Sequence, residues 1–105
     1  MDNKFLRHIF LGFIRIHILY HASQEPFFGV WMMEELKSHD YDISAGTLYP
    51  ILHKMEENNL LTVEERVVEG KVRKYYSITE KGEEILQSAQ EKTEELYKEV
   101  VAGEV

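Results

Sequence analysis

At 105 residues the chain has the length of one domain, and its 44% hydrophobic and 30% charged residues are the composition of a folded globular protein and not of a disordered tail. It has no cysteine, which excludes a disulfide framework, a thiolate nucleophile and a cysteine-based zinc centre. A net charge of -7 argues against coating nucleic acid through global positive charge, but the charge is uneven: residues 79–105 carry three cations and eight acids, residues 70–79 three cations and no acid.

Lys4 and Arg7 precede the apolar run IFLGFI, but Arg15 and His17 end that run too early for a signal peptide. The same two residues, with His21, break any span of about 20 apolar residues, so a soluble, cytoplasmic protein with no membrane partner is expected. Residues 5–21 lack Pro and carry Phe5, Leu6, Ile9, Phe10, Phe13, Ile14, Ile16 and Leu19, which predicts a helix that is apolar on more than one side. One side would meet the chain's own core and the other a second subunit. The segment SQEPFF carries turn signals, after which Gly29–Ser38 reads as a short second helix.

A polar connector over residues 39–42 leads to Ser44, which is placed to cap a third helix running to about Asn58. On that helix Leu48, Ile51, Leu52 and Met55 gather on one side. Gly46, Pro50, His53 and Glu57 fall opposite, flanked by Thr47, Tyr49 and Lys54. Residues 60–68 and 71–78 are rich in Val, Tyr, Ile and Thr and are joined by Glu69 and Gly70, the pattern of a β-hairpin. Thr79 reads as the cap of a last helix over about 80–102, with Glu80, Glu83 and Glu84 where acids suit the helix dipole. Along it, Leu86, Ala89, Thr93, Leu96 and Val100 recur at spacings of 3, 4, 3 and 4, a coiled-coil seam that predicts dimerisation.

Three helices, a hairpin and a terminal helix follow the order of a winged helix-turn-helix. The expected fold is mainly α with a two-stranded β-wing, divided into a DNA-binding unit over 1–79 and a C-terminal dimerisation helix over 80–105. The stretches GTLYPILHKMEENNLL and GKVRKYYSITEKG resemble the PadR family of transcription regulators, and the resemblance covers nearly the whole chain. The single short terminal helix is similar to that of the family's small subfamily. The resemblance implies a homodimer joined through the terminal and first helices, usually a repressor acting on double-stranded operator DNA. Ser44, Gly46, Thr47, Leu48, Tyr49 and Pro50 match the start of the family's recognition helix, and Arg73, Lys74, Tyr75 and Tyr76 match its wing. The chain departs at Phe28, Gly29 and Val30, where members commonly have His-Gly-Tyr, and at the wing tip, Glu69, Gly70 and Lys71.

The expected DNA contacts are therefore Ser44, Gly46, Thr47, Tyr49, Pro50, His53 and Lys54 on the third helix and Lys71, Arg73 and Lys74 on the wing. Hydroxyl, phenol, imidazole and cationic groups all bond phosphates or base edges. The plain alternative is a solvated helix face and a charged strand edge. Tyr76 and Ile78 alternate with the outward residues and are expected to pack on the helices. His17 and His21, four apart, could supply two metal ligands, but no HExxH pattern, Cys or carboxylate partner is evident beside them; interface packing is expected, with no metal or other cofactor. Trp31 lies opposite the apolar stripe of the second helix, and with Tyr97 it is the candidate lining for a planar aromatic effector at the partner's terminal helix. A winged-helix protein-interaction module without DNA binding is the competing reading, which salt-dependent duplex binding would separate. No nucleophile with a base, and no metal set, supports an enzyme.

Overall fold

The computed structural model describes residues 3–104. Met1, Asp2 and Val105, which the expected unit boundaries include, lie outside the described residues. The elements run α1 (Lys4–Gln24), β1 (Phe27–Phe28), α2 (Gly29–Ser38), α3 (Ala45–Glu57), β2 (Leu61–Val68), β3 (Lys71–Ile78) and α4 (Glu80–Val100). The Asn3 side chain accepts from the amides of Phe5 and Leu6 to start α1, and the Thr79 hydroxyl accepts from Gly82 to start α4. Ser44 occupies the cap position of α3, but its hydroxyl lies 3.3 Å from that of Thr47 and does not cap the backbone.

The sheet is antiparallel in the order β1-β3-β2. β2 and β3 form the wing, turning at Glu69 and Gly70, whose φ values of 53° and 78° are those a two-residue type I′ turn demands and glycine meets without strain. The wing is the two-stranded hairpin the sequence predicts, and a third, short strand adds to its base. Phe27 and Phe28 pair with Tyr76 and Tyr75, so what reads as a turn beside Pro26 is an edge strand that ties α2 to the base of the wing.

A single core joins Ile14, Ile18, Leu19 and Ala22 of α1 to Met32 and Leu36 of α2 and to Leu48, Ile51, Leu52 and Met55 of α3. Phe27, Leu61 and Tyr76 close it from the sheet and Leu86 from α4. Leu86, expected in the dimer seam, is thus already spent in its own chain, because the first turns of α4 lie against α1. From Gln90 onward every described residue of α4 is exposed. No described helix is long and apolar enough to cross a membrane.

α4 can leave the wing at this angle only because Gly82 has no side chain. A Cβ there would fall well inside van der Waals contact distance of the Leu60 carbonyl oxygen and of the Ile78 side chain. Gly82→Ala should therefore lower stability by about 1–3 kcal/mol, the usual cost of overpacking, read as a lower urea midpoint at unchanged slope.

Candidate functional site

The outward side of α3 and the wing flank a common groove, with Lys74 on the face of β3 that looks towards α3 and Lys71 and Arg73 alternating to its other face. Ser44, Gly46, Pro50, His53 and Lys54 are exposed on α3, and Thr47 is half-buried. Lys71 and Lys74 are exposed on β3, and Arg73 is half-buried. A groove of about 480 Å³ between helix and wing is lined by Tyr49, His53, Glu56, Glu65 and Lys74, over the buried Tyr76. Tyr76 and Ile78 take the inward places on β3, as their alternation predicts.

Two features of this surface depart from the outward-pointing expectation. The Tyr49 ring lies across Gly29 at the start of α2, where an added Cβ would stand 2.5–2.7 Å from its hydroxyl and ring edge. Tyr49 therefore braces α2 against α3 while keeping 39% of its surface exposed. The His53 imidazole leans towards the C-terminal end of α3, 3.6 Å from Glu57 and 3.9 Å from Glu56.

The wing carries one cation that the sequence reading did not single out. The two-residue turn sets Arg66 directly opposite Arg73. Each guanidinium is taken up by an aromatic face, Arg66 over Tyr75 at 4.5 Å and Arg73 over Phe28 at 4.6 Å. Counting back from the Glu69–Gly70 turn would have found the pair. Among the described residues no salt bridge holds Lys54, Lys71, Arg73 or Lys74, whereas Arg66 contacts Glu64 at 3.3 Å.

On the other side of the molecule α1 and α4 flank a cleft of about 640 Å³, walled by Phe13, Ile16, Tyr20, Tyr41 and Leu86. At its edge His17 and His21 are joined by His39, from the end of α2, their ring nitrogens all within 4.8 Å of one another. Glu35 stands beside them, one carboxylate oxygen 3.0 Å from Nε2 of His39 and 3.6 Å from Nε2 of His21. The expectation that the His17–His21 pair lacks partners is corrected here: the third imidazole and the carboxylate come from α2, far away in sequence. Burial, then the neighbouring His39 and His21, lower the His17 pKa below its ordinary 6.5, outweighing the pull of Glu35.

Trp31 is half open, packed against Phe27 and edge-on to His21 at 5.4 Å, beside a hollow of about 440 Å³. Tyr97 stands on the uncovered half of α4, so one chain does not bring these two aromatics together.

Residues 18–88 match the family model described as the transcriptional regulator PadR-like family. The chain is 43% identical over 91 residues to transcriptional regulator Rv3488 of Mycobacterium tuberculosis, covering 87% of this chain and 85% of that protein. Its fold is similar to a PadR-like transcriptional regulator from Bacillus cereus, with a TM-score of 0.82 and 30% identity over 89% of this chain and 92% of the other. It is also similar to a PadR-like transcription factor from Bacteroides fragilis, with a TM-score of 0.79 and 28% identity over 93% and 96% of the two chains.

The contact between Tyr49 and Gly29 is testable within the protein alone. Gly29→Ala must push the ring aside and should cost about 1 kcal/mol. In a Tyr49→Ala background the same change should cost nothing, a coupling that a double-mutant cycle in urea reads directly.

Proposed function

The chain belongs to the PadR-like family of transcriptional regulators, and from that premise we propose that it acts as a homodimeric repressor, each protomer laying the N-terminal half of α3 in a major groove and its wing on the flanking backbone. It is a DNA-binding regulator and not an enzyme, as its family and relatives are.

The observation that carries the contact surface is the placement of free cations in an acidic protein. Lys54 on α3 and Lys71, Arg73 and Lys74 on the wing have no salt bridge among the described residues, while the largest group of acids lies on α4. Cations left without acidic partners are what a phosphate surface requires, and the acids on the same elements, Glu56 and Glu57 at the C-terminal end of α3 and Glu64 and Glu65 on β2, lie away from the start of α3. Ser44, Gly46, Thr47 and Pro50 present small groups at the start of α3, where a helix N-terminus favours an anion. Glu56 and Glu57, the acids beside His53, face phosphate less well, which favours the first two turns of α3 as the part that enters the groove.

Dimerisation follows from surface that one chain leaves bare. Phe5, Leu6, Ile9 and Phe13 of α1 and Leu96, Tyr97 and Val100 of α4 are exposed apolar residues on the two elements that flank the cleft. Ala89, Thr93, Leu96 and Val100 are the remaining members of the seam, and a second copy's α4 is the partner of matching length and pattern. Occupation of the operator by both wings accounts for repression.

Fluorescence anisotropy of labelled duplex DNA from upstream of the coding sequence, measured at rising salt, tests this reading. Lys54→Ala and Lys71→Ala should each weaken binding to every sequence while leaving the melting temperature unchanged, and each should reduce the slope of log affinity against log salt by about 0.9. Variants that bind like the parent, or a parent whose weak binding ignores salt, would instead favour a protein-interaction module.

A further inference from the structure

We propose that His17, His21 and His39 bind one borderline divalent transition-metal ion per chain, with Glu35 supplying the compensating negative charge, and that this ion is the regulator's effector. The role as effector rests on the regulatory function proposed above; the site itself does not.

The donors are assembled before any ion arrives. His17 and His21, one helical turn apart, project from the same face of α1, and the C-terminal end of α2 delivers His39 over them, its ring centroid 4.7 Å from that of His17. Ring nitrogens within 4.8 Å of one another need only side-chain rotation to reach the separation of about 3.3 Å that tetrahedral bonds of about 2.0–2.1 Å impose. Among the described residues no hydrogen bond joins the three rings. Their only hydrogen-bond partner there is Glu35, through His39 Nε2. Stacked imidazoles with unspent nitrogens are a poor way to fill space at the edge of an apolar cleft, and a good way to hold a Lewis acid. His39 is exposed and the other two are half-buried, so an ion has a path in.

The donor set also selects the ion. Three imidazoles and a carboxylate, in a chain with no cysteine, suit Zn²⁺, Co²⁺ or Ni²⁺ and offer little to Mg²⁺ or Ca²⁺, which prefer oxygen cages, or to Cu⁺, which prefers sulfur. Glu35 accepts a hydrogen bond from Nε2 of His39 and so orients that ring, as carboxylates beside metal-binding histidines do, and its charge lies 3.6 Å from Nε2 of His21.

The site lies where an ion would matter for DNA. It would clasp α1, whose bare face and cleft are the proposed dimer surface, to the C-terminal end of α2, a helix whose opposite end, at Gly29, Tyr49 braces against α3. Binding energy that favours one angle between α1 and α2 would favour one separation of the two recognition helices, and only such a difference between states couples the ion to DNA affinity.

The test uses the full-length untagged protein, stripped with a chelator. Titration with Co²⁺ should give visible ligand-field bands and quench Trp31, the sole tryptophan, whose ring lies 5.4 Å from that of His21, both saturating at one ion per chain. Isothermal titration with Zn²⁺ should give the same stoichiometry. His39→Ala and His17→Ala should abolish both signals, and Glu35→Gln should weaken them about 10- to 100-fold. His8→Ala and His53→Ala, the remaining two histidines, should leave them unchanged. No binding, binding that survives His39→Ala, or binding lost with His8 or His53 would overturn the site. With the site established, Zn²⁺ should change duplex affinity of the parent at least fivefold and leave His39→Ala unmoved. An unchanged affinity would overturn the effector role alone, and failure to bind duplex with or without the ion would overturn the DNA-binding reading while leaving the site standing.

Discussion

α1 has more apolar surface than one chain of this size can cover, and the placement of the other elements follows from how that surface is divided. Ile14, Ile18, Leu19 and Ala22 are spent on the core beneath α2 and α3. Phe13, Ile16 and Tyr20 turn to the cleft that α4 begins to close, and Phe5, Leu6 and Ile9 are left bare. α4 reaches the cleft past Gly82, buries only Leu86 fully against it and lines it on to Gln90 and Thr93. Fully burying a side chain such as Leu96 or Phe13 is worth about 1.5–3 kcal/mol. Several such side chains on each of two copies outweigh the cost of association, so the surplus of α1 becomes the drive for the proposed dimer.

The same helix connects the two ends of the proposed mechanism. Its inward face carries α2, and Tyr49 on Gly29 carries the orientation of α2 into α3. Phe27 and Phe28 carry it into the wing through their pairing with Tyr76 and Tyr75. α2, α3 and the wing are thereby tied to one another, and in the proposed mechanism the angle at which α1 meets α2 sets where two such units stand relative to each other. The histidine cluster spans that joint, between His17 and His21 on one side and Glu35 and His39 on the other.

Much of this was legible in the sequence, wherever a signal repeats or is local. The core stripe of α3, the hairpin turn at Glu69 and Gly70, the bounds of α2 and the cap at Thr79 each rest on periodicity or on local turn and cap residues, and each lies where the chain predicts it. The missed features are those made by contacts between distant segments. A two-residue strand beside Pro26 is too short to show a period, and it forms because β3 has a free edge for it. Leu86 fits the α4 heptad as well as Leu96 does, and only the tertiary packing of α1 decides that the first is core and the second is bare. Tyr49 reads as an outward residue by helical angle until the absence of a side chain at Gly29 lets its ring lie down. His39 and Glu35 stand 14 to 22 residues from His17 and His21, where no spacing rule reaches them.

The account depends most on the claim that the bare faces of α1 and α4 are closed by a second copy, and the mass of the native protein tests it most directly. Sedimentation equilibrium across the micromolar range should give twice the chain mass of 12.4 kDa, with Leu96→Glu shifting the population to monomer and lowering the melting temperature together. A parent that sediments as a stable, well-folded monomer at those concentrations would contradict it.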